Sequence, residues 1–105
     1  MKYRSTKLAM ALAISPETRE KVTIRDGGLC VYCRRPGLPE AHFIPRSKGG
    51  LGIPENILTL CRECHDRFDR GKKVERLGMR EYFREYLSGI YEDWDESKLV
   101  YDKWR

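Results

Sequence analysis

Apolar and polar residues alternate along this chain with periods that change from segment to segment, and the changes mark out its elements. Near the start, Lys2, Arg4 and Lys7 lead into the short apolar stretch Leu8-Ala-Met-Ala-Leu-Ala-Ile14. This imitates a secretory signal, but the stretch is short and its Ala-x-Ala sites fall inside it, so a short helical or frayed N-terminal arm over 1–14 is expected. Ser15-Pro16-Glu17 is a helix start: Ser caps free N–H groups, Pro suits the first turn, and Glu complements the positive end of the dipole. The helix is expected from about Pro16 to Arg25, ended by Asp26-Gly27-Gly28. Ala41-His42-Phe43-Ile44 reads as a strand closed by Pro45, and Ile57-Leu-Thr-Leu60 as a short buried strand. Between them, 46–56 is rich in Gly, Pro and charge, as in an exposed loop of the kind that often carries function. A helix opens at Cys61-Arg-Glu-Cys64-His65 and runs to about Arg70, stopped by Gly71. Strand, loop, strand and helix in that order make a ββα unit within an α+β fold. Beyond Gly78, Tyr82, Phe83, Tyr86, Leu87 and Ile90 keep helical spacing, and a last helix is predicted after Asp95 with Leu99, Val100 and Trp104. Trp94 and Trp104 are expected to pack against this helical tail.

Length and composition narrow the picture. A chain of 105 residues is one domain in size. With 40% hydrophobic and 35% charged residues its core is modest, and small cores need a staple. Lys plus Arg number 21 against 16 Asp plus Glu, a net charge of +5 that favours a polyanionic partner. No apolar run approaches the roughly 20 residues of a membrane-spanning helix.

The staple is visible in the four cysteines. Cys30-x-x-Cys33 and Cys61-x-x-Cys64 are two turns that each set a pair of thiolates on one side of a tetrahedral ion, together a closed four-cysteine zinc site. Two disulfides or a redox pair would be the alternative. Bridging within a CxxC turn strains the disulfide, and no thioredoxin-like βαβ pattern surrounds either pair. An ion with four protein sulfurs has no open position for substrate, so its expected role is to hold the fold.

Only two histidines occur, His42 and His65, each beside a knuckle and with Asn56 between them. Taken with Arg25-Asp-Gly-Gly-Leu-Cys-Val-Tyr-Cys33, His42-Phe-Ile-Pro-Arg-Ser-Lys-Gly-Gly50, Pro54-Glu-Asn56 and Leu60-Cys-Arg-Glu-Cys-His65, the pattern over residues 16 to 70 resembles the HNH endonuclease family. The likeness is to its zinc-stapled branch, common in phage and bacterial genomes. The resemblance implies a small ββα-metal domain over 15–71, flanked by the N-terminal helix and by a helical C-terminal extension, 72–105, packed on the same domain. It also implies the cytoplasm of a bacterial or phage-infected cell. By the same resemblance His42 corresponds to the general base, Asn56 to the residue bracing the loop, and His65 to a ligand of a catalytic Mg2+ or other divalent metal ion. These residue types suit the chemistry: a neutral imidazole can take a proton from water near pH 7, and an amide can tie two backbone segments together. One position departs from the family. Many members carry Asp or His immediately before the base, where this chain has Ala41. Asp69, one turn beyond His65 on the same helix face, is a candidate second ligand, with Glu40 and Asp66 as others.

Arg46 and Lys48 in the loop, with Arg34, Arg35, Arg62 and Arg67 near the knuckles, are candidates for phosphate contacts, which position a duplex without reading its sequence. Two classes of function follow: a metal-dependent endonuclease acting on DNA, or a catalytically weakened module of the same fold that binds nucleic acid or a protein partner. A transcription-factor-like zinc finger fits less well, because no helix has the basic face that major-groove reading needs.

Overall fold

In a computed structural model, which describes residues 2–102, the elements are α1 (Lys2–Leu12), α2 (Pro16–Asp26), β1 (Leu38–His42), β2 (Ile57–Leu60), α3 (Arg62–Arg70) and α4 (Lys73–Ile90). Helix α2 begins as its sequence dictates. Ser15 Oγ accepts from the Thr18 amide at 3.1 Å, with Pro16 in the first turn. It ends at Gly27, whose φ of 69° is a left-handed cap that a side chain would strain. The N-terminal arm is helical, and Trp104, expected on the last helix, lies outside the described residues.

Strands β1 and β2 pair antiparallel, with Leu38 opposite Leu60, Pro39 opposite Thr59, Ala41 opposite Leu58 and His42 opposite Ile57. Glu40 is the extra residue of a bulge between Pro39 and Ala41. The strand therefore starts earlier than expected, because Leu38 and Pro39 find partners in β2. It also stops at His42: Phe43 N–H donates to Asn56 O and Ile44 N–H to Asn56 Oδ1, which draws these residues into the loop's bracket instead. Across this strand Ala41 is fully buried in the core, whereas Glu40 is exposed and His42 half-buried.

The core joins the knuckle, the sheet and both later helices. Cys30, Val31, Phe43, Leu58, Leu60 and Cys64 pack with Phe68 of α3 and with Met79, Phe83 and Leu87 of α4. Phe68 and Phe83 meet edge to face at 4.9 Å between centroids. Helix α4 starts at Lys73, earlier than the apolar spacing beyond Gly78 indicated, and runs straight through that glycine. The predicted last helix is absent among the described residues. Only a 3-10 turn, Glu96–Lys98, forms there, since the backbone beyond it is used for pairing with the loop: Leu51 N–H donates to Leu99 O and Tyr101 N–H to Gly49 O. Trp94 packs on the core cluster to which Met79, Phe83 and Leu87 of α4 belong, meeting Phe43 edge to face, with Nε1–H donating to Glu55 O at 2.9 Å.

One polar hub ties α2 to the sheet and α4. Asp26, with a side chain only 1% exposed, accepts from both arms of Arg25, from Tyr86 Oη and from the Thr59 amide. Arg25 reaches on to Pro54 O and Ile57 O. Burial opposes ionisation of Asp26, but the bonds from Arg25 and Tyr86 and the charge of Arg25 outweigh it and hold the carboxyl below its usual range. A depressed native value means that this stabilisation is full above the unfolded-state value and is lost as pH falls through the native one. Asp26→Asn, which leaves the Arg25 charge buried without its partner, is expected to cost about 3 kcal/mol at pH 7. In urea melts the gap between variant and wild type should shrink on going to acid pH, and a pH-independent gap would exclude the ionised form as its source.

Candidate functional site

Residues 30–33 and 61–64 fold as two facing knuckles. In each, an amide donates to the first cysteine of its own pair: Cys33 N–H to Cys30 Sγ and Cys64 N–H to Cys61 Sγ, both 3.4 Å. Cys61 also caps α3. All four ligand atoms lie within 4.8 Å of one another, with Cys33 Sγ and Cys61 Sγ 3.6 Å apart, and none of the four is in a disulfide. Tetrahedral zinc with bonds of about 2.3 Å would set its sulfurs about 3.8 Å apart, so the cluster has the size and donor set that zinc requires. Arg35 Nε–H donates to Cys33 Sγ at 3.4 Å and pulls that thiol down to about 6, whereas burial pushes the Cys64 thiol up.

The second site is a cleft of about 480 Å³ between β1, the loop after it, α3 and α4. It is lined by Glu40, His42, Arg46, His65, Asp69 and Arg80, among others. A second hollow shares Glu40, His65 and Asp69 with it and continues past Asp66 and Arg62 to Gly37. The structure therefore brings together His42, His65 and Asp69, which lie far apart in sequence. His65 Nε2 and Asp69 Oδ2 are 3.3 Å apart on one face of α3, as the one-turn spacing predicts. A nitrogen and a carboxylate oxygen so placed suit a divalent ion with several water ligands. Among the described residues, however, only the cysteines form a set of three or more ligand atoms at mutual coordination distance. Ala41 points into the core, so the position before His42 offers the cleft nothing, and a carboxylate there would be buried among apolar groups. On the strand it is Glu40 that shares the cleft with His42, its carboxylate 3.3 Å from Arg19 Nη1.

Asn56 is fully buried and closes the loop over the site. Its Oδ1 accepts from Ile44 N–H at 2.8 Å, and its Nδ2 donates to Ile44 O and to Leu51 O. Two points of the loop are thereby fixed just beyond His42. Burial pushes the His42 imidazole below its ordinary value, opposed by a hydrogen bond to Leu12 O and reinforced by the charge of Arg46. A lowered value favours the neutral ring at pH 7.

Of the basic residues singled out in the sequence, Arg46 lines the cleft, Lys48 is exposed at the end of the 3-10 turn Arg46–Lys48, and Arg62 lines the adjoining hollow. Arg34 is exposed on the knuckle with φ of 71°. Arg35 and Arg67 are otherwise engaged. Arg35 pairs with Glu63 at 2.7 Å as well as with Cys33, and Arg67 pairs with Glu75 at 2.7 Å while lying over the Tyr32 ring. Two residues of the cleft were missed in the sequence: Arg76 and Arg80 on α4. Arg80 is wedged against the Phe43 and Phe68 rings and donates to Phe43 O at 2.8 Å. Their spacing of one helical turn was a usable signal, but nothing local tells which way α4 turns that face.

Residues 30–80 match the family model described as HNH endonuclease. The four cysteines that lie in this region are consistent with a zinc-binding variant of that family. It is also 42% identical over 31 residues to Anaredoxin of Nostoc sp., a stretch covering 30% of this chain and 41% of that protein. The chain thus spans about two fifths of the curated relative it matches.

Proposed function

We propose that this protein is a metal-dependent endonuclease that hydrolyses phosphodiester bonds of DNA, with His42 as general base and the cysteine-bound zinc purely structural. The observation that carries this reading is the cleft in which a neutral, half-buried His42 faces the His65 and Asp69 pair, with Arg46, Arg76 and Arg80 on its walls. A divalent ion held by His65 and Asp69 would stabilise charge on the phosphate and on the departing oxygen. The protein's own groups supply the rest. His42 removes a proton from the attacking water, Asn56 keeps the loop beyond it rigid, and the arginines hold the phosphodiester in place.

Ala41 and the two-donor ion site favour a second reading, a module of the same fold that binds nucleic acid without cutting it. The two readings separate on metal dependence. Asp69→Ala is expected to raise the Mn2+ concentration for half-maximal plasmid cleavage by about tenfold or more, in line with losses at imidazole and carboxylate sites. An unchanged requirement in Asp69→Ala together with a raised one in Glu40→Gln would move the second donor to β1. No cleavage by wild type with any divalent ion would leave the binding module as the better description.

A further inference from the structure

Helix α1 lies outside the stretch that matches the HNH family, yet it ends on the residue at the centre of the cleft. His42 Nε2 is 2.9 Å from Leu12 O, in the last turn of α1. The last carbonyls of a helix have no partner within it, so each needs a donor from elsewhere. Here the donors come from β1 and the loop that follows it: His42 supplies one for Leu12 O, and Gly52 N–H donates to Ala11 O at 3.0 Å. The docking is close. A Cβ on Gly52 would fall 1.9 Å from Ala13 O, so only glycine lets the end of α1 sit on the loop. Leu12 itself is buried, which seats the helix end by packing as well.

We propose that α1 is part of the catalytic apparatus: the Leu12 carbonyl is the positioning group that holds His42 with its proton on Nε2 and leaves Nδ1 as the nitrogen that accepts a proton. A carbonyl oxygen can only accept, so a neutral imidazole in this bond carries its hydrogen on Nε2. The other tautomer would set two lone pairs against each other. When Nδ1 takes a proton from water, the imidazolium keeps the same Nε2–H bond, now charge-assisted and directed at the negative end of a helix. The carbonyl thus selects the tautomer, fixes the ring plane and favours the protonated product of the step. A backbone group from outside the ββα unit does the work that a carboxylate does for the histidine of a catalytic triad.

The inference rests on the nuclease reading for its catalytic part, and the test keeps the two apart. Long-range nitrogen-15 NMR of the full-length, zinc-loaded protein, labelled at its two histidines, identifies the protonated ring nitrogen of His42 at neutral pH without any reference to activity. Gly52→Ala, which pushes the end of α1 off the loop, and Leu12→Ala, which loosens its seat, supply two independent displacements. In wild type the expected state is a single Nε2–H tautomer. In both variants a mixture should appear and kcat for plasmid cleavage should fall about ten- to a hundredfold, the usual loss when a group orienting an imidazole is removed, with zinc content and the circular dichroism spectrum kept. An Nδ1–H tautomer or a mixture in wild type overturns the proposal. So does an unchanged kcat in a variant whose His42 has lost the single tautomer. A wild type with the expected tautomer that cuts no DNA refutes the nuclease reading and not the brace.

Discussion

Removal of the cysteine-bound ion is expected to unfold the protein. Cys30 and Cys64 sit inside the core, and the two knuckles join the start of the sheet to α3, so an ion bound by the four cysteines would cross-link the two halves of the domain, which no disulfide joins among the described residues. Zinc in small domains of this kind binds with about 10–16 kcal/mol, as much as the whole stability of about 5–15 kcal/mol that a folded domain shows. Four thiols within 4.8 Å cannot replace it, because ionised together they repel and protonated they leave weak donors in the core. Chelation at neutral pH should therefore abolish the cooperative thermal transition, and added zinc should restore it at one ion per chain. Cys64→Ser should behave like the chelated protein. A chelated sample that keeps its melting temperature would show that the core holds without the metal.

His42→Ala is expected to have the opposite profile, a large loss of activity at small structural cost. General bases contribute about 10²–10⁴ in rate, and in the proposed function His42 would act on water in the transition state. Structurally, the substitution removes one hydrogen bond and leaves Leu12 O to find water at the edge of the cleft, worth about 1 kcal/mol. Cleavage should fall by at least about a hundredfold while zinc content and DNA affinity hold, read as a change in kcat with little change in KM. Loss of DNA affinity in proportion to activity would instead make His42 a binding residue.

What could be read from the sequence was what depends on neighbours in the chain. The Ser15 cap, the Gly27 stop, the paired CxxC turns and the one-turn spacing of His65 and Asp69 are each complete within a few residues, and each stands in the structure where the sequence placed it. The features that escaped depend on partners far away. Strand β1 begins at Leu38 because β2 offers Leu60 and Thr59, and the bulge at Glu40 has no signature of its own. The stretch from Leu99 to Tyr101 has apolar residues fit for a helix, but the loop at Gly49 to Leu51 offers backbone partners that win. Arg76 and Arg80 enter the cleft only because α4 packs across α3 through Phe83 and Phe68. Likewise, nothing in 1–14 foretells that Leu12 meets His42. Ala41 carried the opposite lesson. As a missing ligand it weighed against catalysis, but its side chain faces the core, and the strand's contribution to the cleft is made by its neighbours on either side.

If two metal sites do separate work, one holding the fold and one serving hydrolysis at His42, they can be loaded separately. The most direct test takes protein freed of loosely bound ions but retaining one zinc per chain, and follows supercoiled plasmid with no added metal, then with Mg2+ or Mn2+. No cleavage is expected with zinc alone, and nicking or cutting should appear with the added ion and disappear in His42→Ala. Cleavage that needs no added ion, or that survives in His42→Ala, would contradict that division of work.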